Sequence, residues 1–170
     1  MSIEVHKLTA SDVELLREIR LEGLRLNPEA FGSAFEDEQS APLEKYSGWL
    51  ANSQVFGAFD SAHIVGIAAF GTFTGRKDSH KGWLRAMYVG PTHRRTGASR
   101  LLVQAVIDAA RLRVELLQLS VVSDNLPAIR LYQSFGFTQY GLERHSLKQN
   151  GRYFDEIHMC LDLSSPSSSL

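Results

Sequence analysis

At 170 residues and 19.0 kDa, with 44% hydrophobic and 22% charged residues, the chain has the size and balance of one globular domain that buries well over half of its unfolded surface. A net charge of −1 and a pI near 6.6 exclude a globally basic nucleic-acid binder, and no apolar run approaches the roughly 20 residues of a membrane span. Cys160 is the only cysteine, which excludes an internal disulfide and makes a reducing cytoplasm the expected compartment.

Residues 3–8 alternate apolar and polar and are predicted to form a first strand. Ser11 and Glu14 have capping-box spacing, and Val13, Leu16, Ile19, Gly23 and Leu26 follow at helical steps in a helix that must stop before Pro28. Residues 28–35 are small and aromatic, followed by Glu36, Asp37 and Glu38 and a second helix over 42–50. With Phe31 and Glu36, this stretch is the candidate acceptor side of a site. Its plain alternative is an aromatic-anchored connection with solvated acids.

Residues 54–60 and 64–73 are nearly continuous apolar runs, as in an antiparallel hairpin covered on both faces. A polar turn over 75–80 leads into the strand 83–89, and Gly90-Pro91 leads on through Thr92, His93, Arg94, Arg95, Thr96 and Gly97 to a helix over 98–112. Three basic-capable residues crowd that helix start, where a cation costs up to about 1 kcal/mol. Free backbone N–H groups, a glycine and rim arginines together describe a phosphate cradle; on the arginine pair alone, a solvated basic turn accounts for the pattern equally well. A strand over 115–122 completes a βαβ unit, so the strands on either side of the helix should be parallel, with the helix start at the carboxyl end of the first.

Asn125 is a good helix cap, Pro127 suits a first turn and Gly136 suits a left-handed stop, which predicts a helix carrying Tyr132 on its apolar face. Residues 137–147 and 153–163 flank Asn150-Gly151, a strong hairpin signal. The domain is expected over 1–163, with a serine-rich tail over 164–170. His63 and His80 fall in loops, and no Cys/His grouping has metal-ligand spacing, so no metal is expected.

Arg94, Gly97 and Ser99 match the cofactor loop Arg/Gln-x-x-Gly-x-Gly/Ala of the GCN5-related N-acetyltransferase (GNAT) family, with Ser99 a departure at the last small position. Asn-x-x-Ala-Ile-x-Leu-Tyr-x-x-Phe-Gly-Phe, from Asn125 to Phe137, resembles the second hallmark of that family, at the usual spacing, and 153–159 resembles its closing strand. The resemblance covers roughly residues 54–161. It implies an α/β (α+β) single-domain fold: a mixed, mostly antiparallel sheet of about seven strands, a parallel βαβ cofactor site and flanking helices.

It further implies acetyl-CoA as donor and a primary amine of a small molecule, polyamine or peptide as acceptor, by direct attack through a tetrahedral intermediate. The pyrophosphate would lie over Arg95, Thr96, Gly97, Ala98, Ser99 and Arg100, with Arg94 or Arg95 at the rim. The pantetheine arm would run along the main chain of Met87 and Val89 and contact Asn125. An N–H near Met87 or Tyr88 would hold the oxyanion, and Tyr132 would protonate the leaving thiolate. Tyr153 is a further substrate-side candidate. Many family members carry a glutamate on the strand placed here at 83–89, and this strand has none. The base is therefore unassigned among Glu36, Glu38, Glu156 and a water chain. A coenzyme-A-binding sensor of the same fold is the alternative function, and either a monomer or a homodimer is compatible with the chain.

Overall fold

The computed structural model describes residues 2–164. A seven-stranded sheet has the order β1-β2-β3-β4-β5-β7-β6, built from β1 (Ile3–Lys7), β2 (Gln54–Asp60), β3 (His63–Thr72), β4 (Lys81–Val89), β5 (Leu116–Val122), β6 (Thr138–Gln149) and β7 (Arg152–Asp162). Among the described residues only β4 and β5 pair in parallel. The helices are α1 (Val13–Leu26), α2 (Phe35–Glu38), α3 (Leu43–Asn52), α4 (Ala98–Arg111) and α5 (Leu126–Ser134). From residue 165 onward the expected tail lies outside the described residues. Among the described residues no helix is long and apolar enough to cross a membrane.

The sheet is covered on both faces, which explains why β2 and β3 read as continuous apolar runs rather than alternating ones. Leu102, Val103, Val106 and Ile107 of α4, with Ile129 and Tyr132 of α5, pack with Ala68, Phe70, Leu84, Leu117 and Met159 on one face. Leu16 and Ile19 of α1 and Tyr46 of α3 pack with Val55, Ile67, Ala69 and Tyr88 on the other.

Entry into α1 differs from the expected capping box. Asp12 Oδ2 accepts from the Thr9 N–H (2.7 Å) and the Thr9 hydroxyl (3.1 Å), so the cap sits two residues earlier than the Ser11–Glu14 pair. A single 3-10 turn, Ala10–Asp12, leads into the helix. At the other end the expected stop holds: the Asn27 N–H donates to Gly23 and Pro28 follows. The short helix α2 has no counterpart among the expected elements. It carries its three acids within one turn, so they point in different directions. Asn150 (φ 49°) and Gly151 (φ 78°) form the positive-φ turn between β6 and β7, the geometry that the Asn-Gly pair predicts.

Candidate active site

The site begins where β4 and β5 part. Their parallel ladder lasts three residues, from Lys81↔Leu116 to Trp83↔Gln118. Past it, β4 carries a bulge: its register with β3 changes between Ala69↔Arg85 and Ile67↔Tyr88, and Ala86 sits at φ 57°. An extra residue in one strand bends it and sharpens its twist, which steers the rest of β4 away from β5. The Gly90 N–H donates to Val65 on the β3 side. By alternation, the main-chain groups of Met87 and Val89 face the wedge between the diverging strands.

At the wedge's carboxyl end lies the start of α4. Gly97 has φ 92° and is the residue before the helix; a side chain at this left-handed position would cost about 1 kcal/mol or more. The first intrahelical bond is Leu101 N–H to Gly97, leaving the amides of Ala98, Ser99 and Arg100 without helical acceptors. Arg95, at φ 66° and exposed, has no side-chain partner among the described residues. The other cations around the turn are already engaged. Arg94 donates from Nε to the Val89 carbonyl (3.3 Å) and from its terminal nitrogen to Asn27 Oδ1 (2.7 Å). His93 pairs with Asp60 at 3.2 Å, and Arg100 reaches Ser134 Oγ at 3.0 Å and stacks over Phe135. The expected basic crowd therefore reduces to Arg95 and the helix amides.

Tyr132 lies on the α4–α5 side, 5% exposed, with its ring edge-on to Phe137 at 5.8 Å. Burial pushes its phenol well above the usual tyrosine range, and the hydroxyl has no hydrogen-bond partner among the described residues. Asn125 caps α5, its Oδ1 accepting from the Ala128 N–H at 3.3 Å. The side chain of Tyr88 points the other way, to α1: its hydroxyl donates to Glu22 at 2.9 Å, and burial, with Glu22 adding to it, raises its pKa.

On the α1–α3 side the wedge opens into a cavity of about 570 Å³, within the range of small-molecule sites. Phe31, Trp49, Phe73, Trp83 and Tyr140 supply its aromatic wall. Its charged residues are Arg20, Arg85 and Glu156, and Ser120 and Gln118 line it from β5. Arg20 lies between the rings of Phe31 and Trp49, 5.1 Å from each centroid, and pairs with Glu38 at 3.0 and 3.2 Å. Burial raises the Glu38 pKa, but the Arg20 hydrogen bond and the Arg20 and Lys45 charges outweigh it and hold the carboxyl below its ordinary value.

Of the predicted acceptor-side residues, Phe31 lines this cavity and Glu36 and Tyr153 do not. Glu36 is exposed on α2, and Tyr153 stacks on His145 at 4.4 Å. The acids do not converge: Glu38 is locked to Arg20, Asp155 accepts from the His145 N–H at 2.8 Å, and Glu156 alone among them reaches the cavity. Glu156 also accepts from Ser146 Oγ at 2.5 Å. Cys160 is half-buried and burial raises its thiol pKa, in keeping with packing rather than reactivity.

Arg85, Ser120, Trp83 and Tyr140 were not singled out by sequence. The available signal was two polar residues at a two-residue spacing, Gln118 and Ser120, inside an otherwise apolar strand, where one face must meet something polar. Among the described residues no group of His, Cys, Asp or Glu has the geometry of a metal site.

The model of the acetyltransferase (GNAT) family matches residues 20–137. The chain is 30% identical to N-alpha-acetyltransferase RimI of Mycobacterium tuberculosis, over 79% of this chain and 77% of that one. It is 29% identical to spermine/spermidine N(1)-acetyltransferase of Bacillus subtilis over 48% of this chain, a match that spans 57% of that relative's length. Among solved structures, ribosomal-protein-alanine N-acetyltransferase from Brucella melitensis superposes with a TM-score of 0.82 at 26% identity, covering 94% of this chain and 99% of that one. An acetyltransferase from Salmonella typhimurium, solved with its cofactor acetyl-CoA, has the same fold at a TM-score of 0.84 and 21% identity, over 99% and 98% of the two chains.

Proposed function

The chain belongs to the GNAT acetyltransferase family, and we propose that it is an acetyl-CoA-dependent N-acetyltransferase acting on a primary amine of a small molecule or peptide. The observation that carries this reading is the wedge between β4 and β5. It has a helix-start cradle at one end and an aromatic cavity with a carboxylate on the opposite side of the sheet from Tyr132.

The cradle fits a pyrophosphate: φ 92° at Gly97 favours a residue without a side chain, the first-turn amides point outward, and Arg95 is the cation free to close over the anion. Main-chain groups of Met87 and Val89 would pair with the amides of the pantetheine arm, with Asn125 Nδ2 within the same wall while its Oδ1 caps α5. When bound, the thioester supplies an acetyl group activated for direct attack by the amine. A Met87 or Tyr88 N–H facing the thioester carbonyl would stabilise the developing oxyanion, a contribution of about 3 to 4 kcal/mol in enzymes where it has been measured.

Tyr132 would hold the proton for the departing sulfur. Its raised pKa keeps it protonated, and the dry surroundings that weaken the phenol as an acid also raise the basicity of a thiolate formed beside it. On the acceptor side, Glu156 would attract the ammonium group. With Arg20 compensated by Glu38, the cavity holds one carboxylate without a basic partner, Glu156, against Arg85, whose guanidinium lies over the Trp83 ring, which supports a small or zwitterionic amine better than a polyamine. The lone half-buried Cys160 suits a cytoplasmic enzyme.

Calorimetric titration with acetyl-CoA, with coenzyme A and ATP in parallel, followed by a thiol-release screen over amines, tests the reading. Micromolar acetyl-CoA binding with amine-dependent release is expected. Tight binding without release would favour a coenzyme-A sensor, for which the Ser99 departure in the loop gives some support, and no binding would refute the cradle.

A further inference from the structure

An alkyl ammonium with a pKa of about 10.4 is almost wholly protonated at neutral pH, and leaving it so adds roughly 4 to 5 kcal/mol to the barrier. Glu38 is committed to Arg20 and Glu36 does not line the cavity. A different set of groups reaches the cavity wall. Ser120 of β5 stands opposite His158 of β7 in register, and Ser120 Oγ lies 2.8 Å from His158 Nδ1. His158 Nε2 lies 3.4 Å from Glu143 Oε2 on β6. Gly141 is the register partner of His158 on β6, and the imidazole lies beside it at ordinary contact distance. Ser120 lines the cavity and His158 does not, so an amine in the cavity meets the hydroxyl and reaches the imidazole through it.

We propose that Ser120, His158 and Glu143 form a proton relay that accepts the proton of the acceptor's ammonium group; this rests on the acetyltransferase reading above. Glu143, ionised, accepts from Nε2–H, which leaves the Nδ1 lone pair to accept the Ser120 O–H. The ammonium nitrogen gives a proton to Ser120 Oγ as the hydroxyl proton passes to Nδ1. The products are a neutral amine, an unchanged serine and an imidazolium facing Glu143. The side chains of His158 and Glu143 are 28% and 55% exposed, so the imidazolium loses a proton to bulk water and, by exchange with solvent after the product leaves, returns to the Nε2–H tautomer with the Nδ1 lone pair facing Ser120.

The titratable groups around the imidazole are Glu143 and the stacked Tyr140, 6.0 Å away, from β6, and Glu156 and Cys160, its neighbours on the same face of β7. From β5 the neighbours are the neutral Ser120 and Gln118.

The test compares Ser120→Ala, His158→Gln and the double variant with the wild type, in thiol release at saturating acetyl-CoA from about pH 6 to 10, together with nitrogen-15 NMR of the His158 tautomer in the free protein. The relay requires a neutral imidazole protonated at Nε2. It also requires each single variant to lose about a hundredfold in kcat/KM for the amine at neutral pH, with the acetyl-CoA Kd unchanged. The double variant should be no worse than the singles, and the deficit should narrow steadily as the pH rises toward the amine's own pKa. If His158→Gln fails to fold, Ser120→Ala carries the same comparison. Protonation at Nδ1, a rate loss of the same size at every pH, additive losses, or an acetyl group trapped covalently on Ser120 would each overturn the relay while the acetyltransferase reading stands. A wild type that neither binds acetyl-CoA nor releases thiol overturns both.

Discussion

Replacing Tyr132 with phenylalanine separates chemistry from packing. The ring is 5% exposed and meets Phe137 at 5.8 Å, contacts that phenylalanine keeps. The hydroxyl has no protein partner among the described residues, and it is not one of the fully buried unpaired atoms, so it keeps some contact with solvent. Its removal is therefore expected to change stability by less than about 1 kcal/mol, under about 2 to 4 °C in melting temperature for a chain of this size. Turnover should fall by about ten- to a thousandfold, because the sulfur then leaves without a proton donor. Thiol release at saturating acetyl-CoA and amine gives the rate, calorimetry gives the acetyl-CoA Kd, and a thermal melt gives the stability. An unchanged rate would remove Tyr132 from the chemistry, and a lower melting temperature with parallel losses of binding and rate would assign it to the core.

Gly97→Ala keeps the cradle open, since a Cβ there meets nothing within 4 Å, but it strains φ 92° by about 1 kcal/mol or more. Its acetyl-CoA affinity should fall by less than about tenfold, whereas Gly97→Glu, adding charge and bulk, should abolish binding. Equal calorimetric affinities in the two variants would move the phosphate site elsewhere. Glu156→Gln removes the one carboxylate in the cavity wall and should raise the KM for a cationic amine by about tenfold, the worth of about 1.4 kcal/mol, with the acetyl-CoA Kd unaffected; an unaltered KM in steady-state kinetics would place the ammonium elsewhere. The Glu38 pKa is lowered from its ordinary 4.5, so its contribution to stability is present above that pH and is lost as pH falls through the folded-state value. Denaturant melts should show an acid limb below about pH 4.5 that Glu38→Gln flattens. At neutral pH, Glu38→Ala leaves the Arg20 side chain, 7% exposed, unpaired and should cost about 3 to 5 kcal/mol. A melt unmoved by both changes would refute the ion pair's role.

The geometry of the proposed cofactor half was legible because it is local. Strand, glycine turn, helix and strand follow one another in 81–122, and the positive φ of Gly97 is a property of a single residue. The acceptor half was not, because its wall is assembled across long separations: Arg20, Trp49, Trp83, Ser120, Tyr140 and Glu156 come from six different elements. The acidic run Glu36-Asp37-Glu38 shows why a cluster in sequence misleads. One helical turn sends Glu38 inward to Arg20 and leaves Glu36 and Asp37 in solvent, so three neighbouring charges contribute no joint site. His93 and Arg94 mislead in the same way, since their partners, Asp60 and Asn27, lie 33 and 67 residues away.

Both halves depend on the single irregularity at Ala86. Before the bulge, Leu84 faces the α4 side; a regular strand would put Tyr88 on that face too, because side chains alternate with a period of two. The extra residue reverses the phase, so that Tyr88 packs toward α1 and Val89 toward α4. That reversal lets the Tyr88 hydroxyl reach Glu22 at 2.9 Å. Gly23 is the residue over which α1 can come this close, since a Cβ there would lie 3.0 Å from the Tyr88 ring. The same irregularity ends the β4–β5 ladder after Trp83 and Gln118. A regular strand would have continued that pairing past Ser120, closing the wedge between the two strands. The bulge thus fixes two things together: the opening beside Met87 and Val89, and the position of the α1 wall.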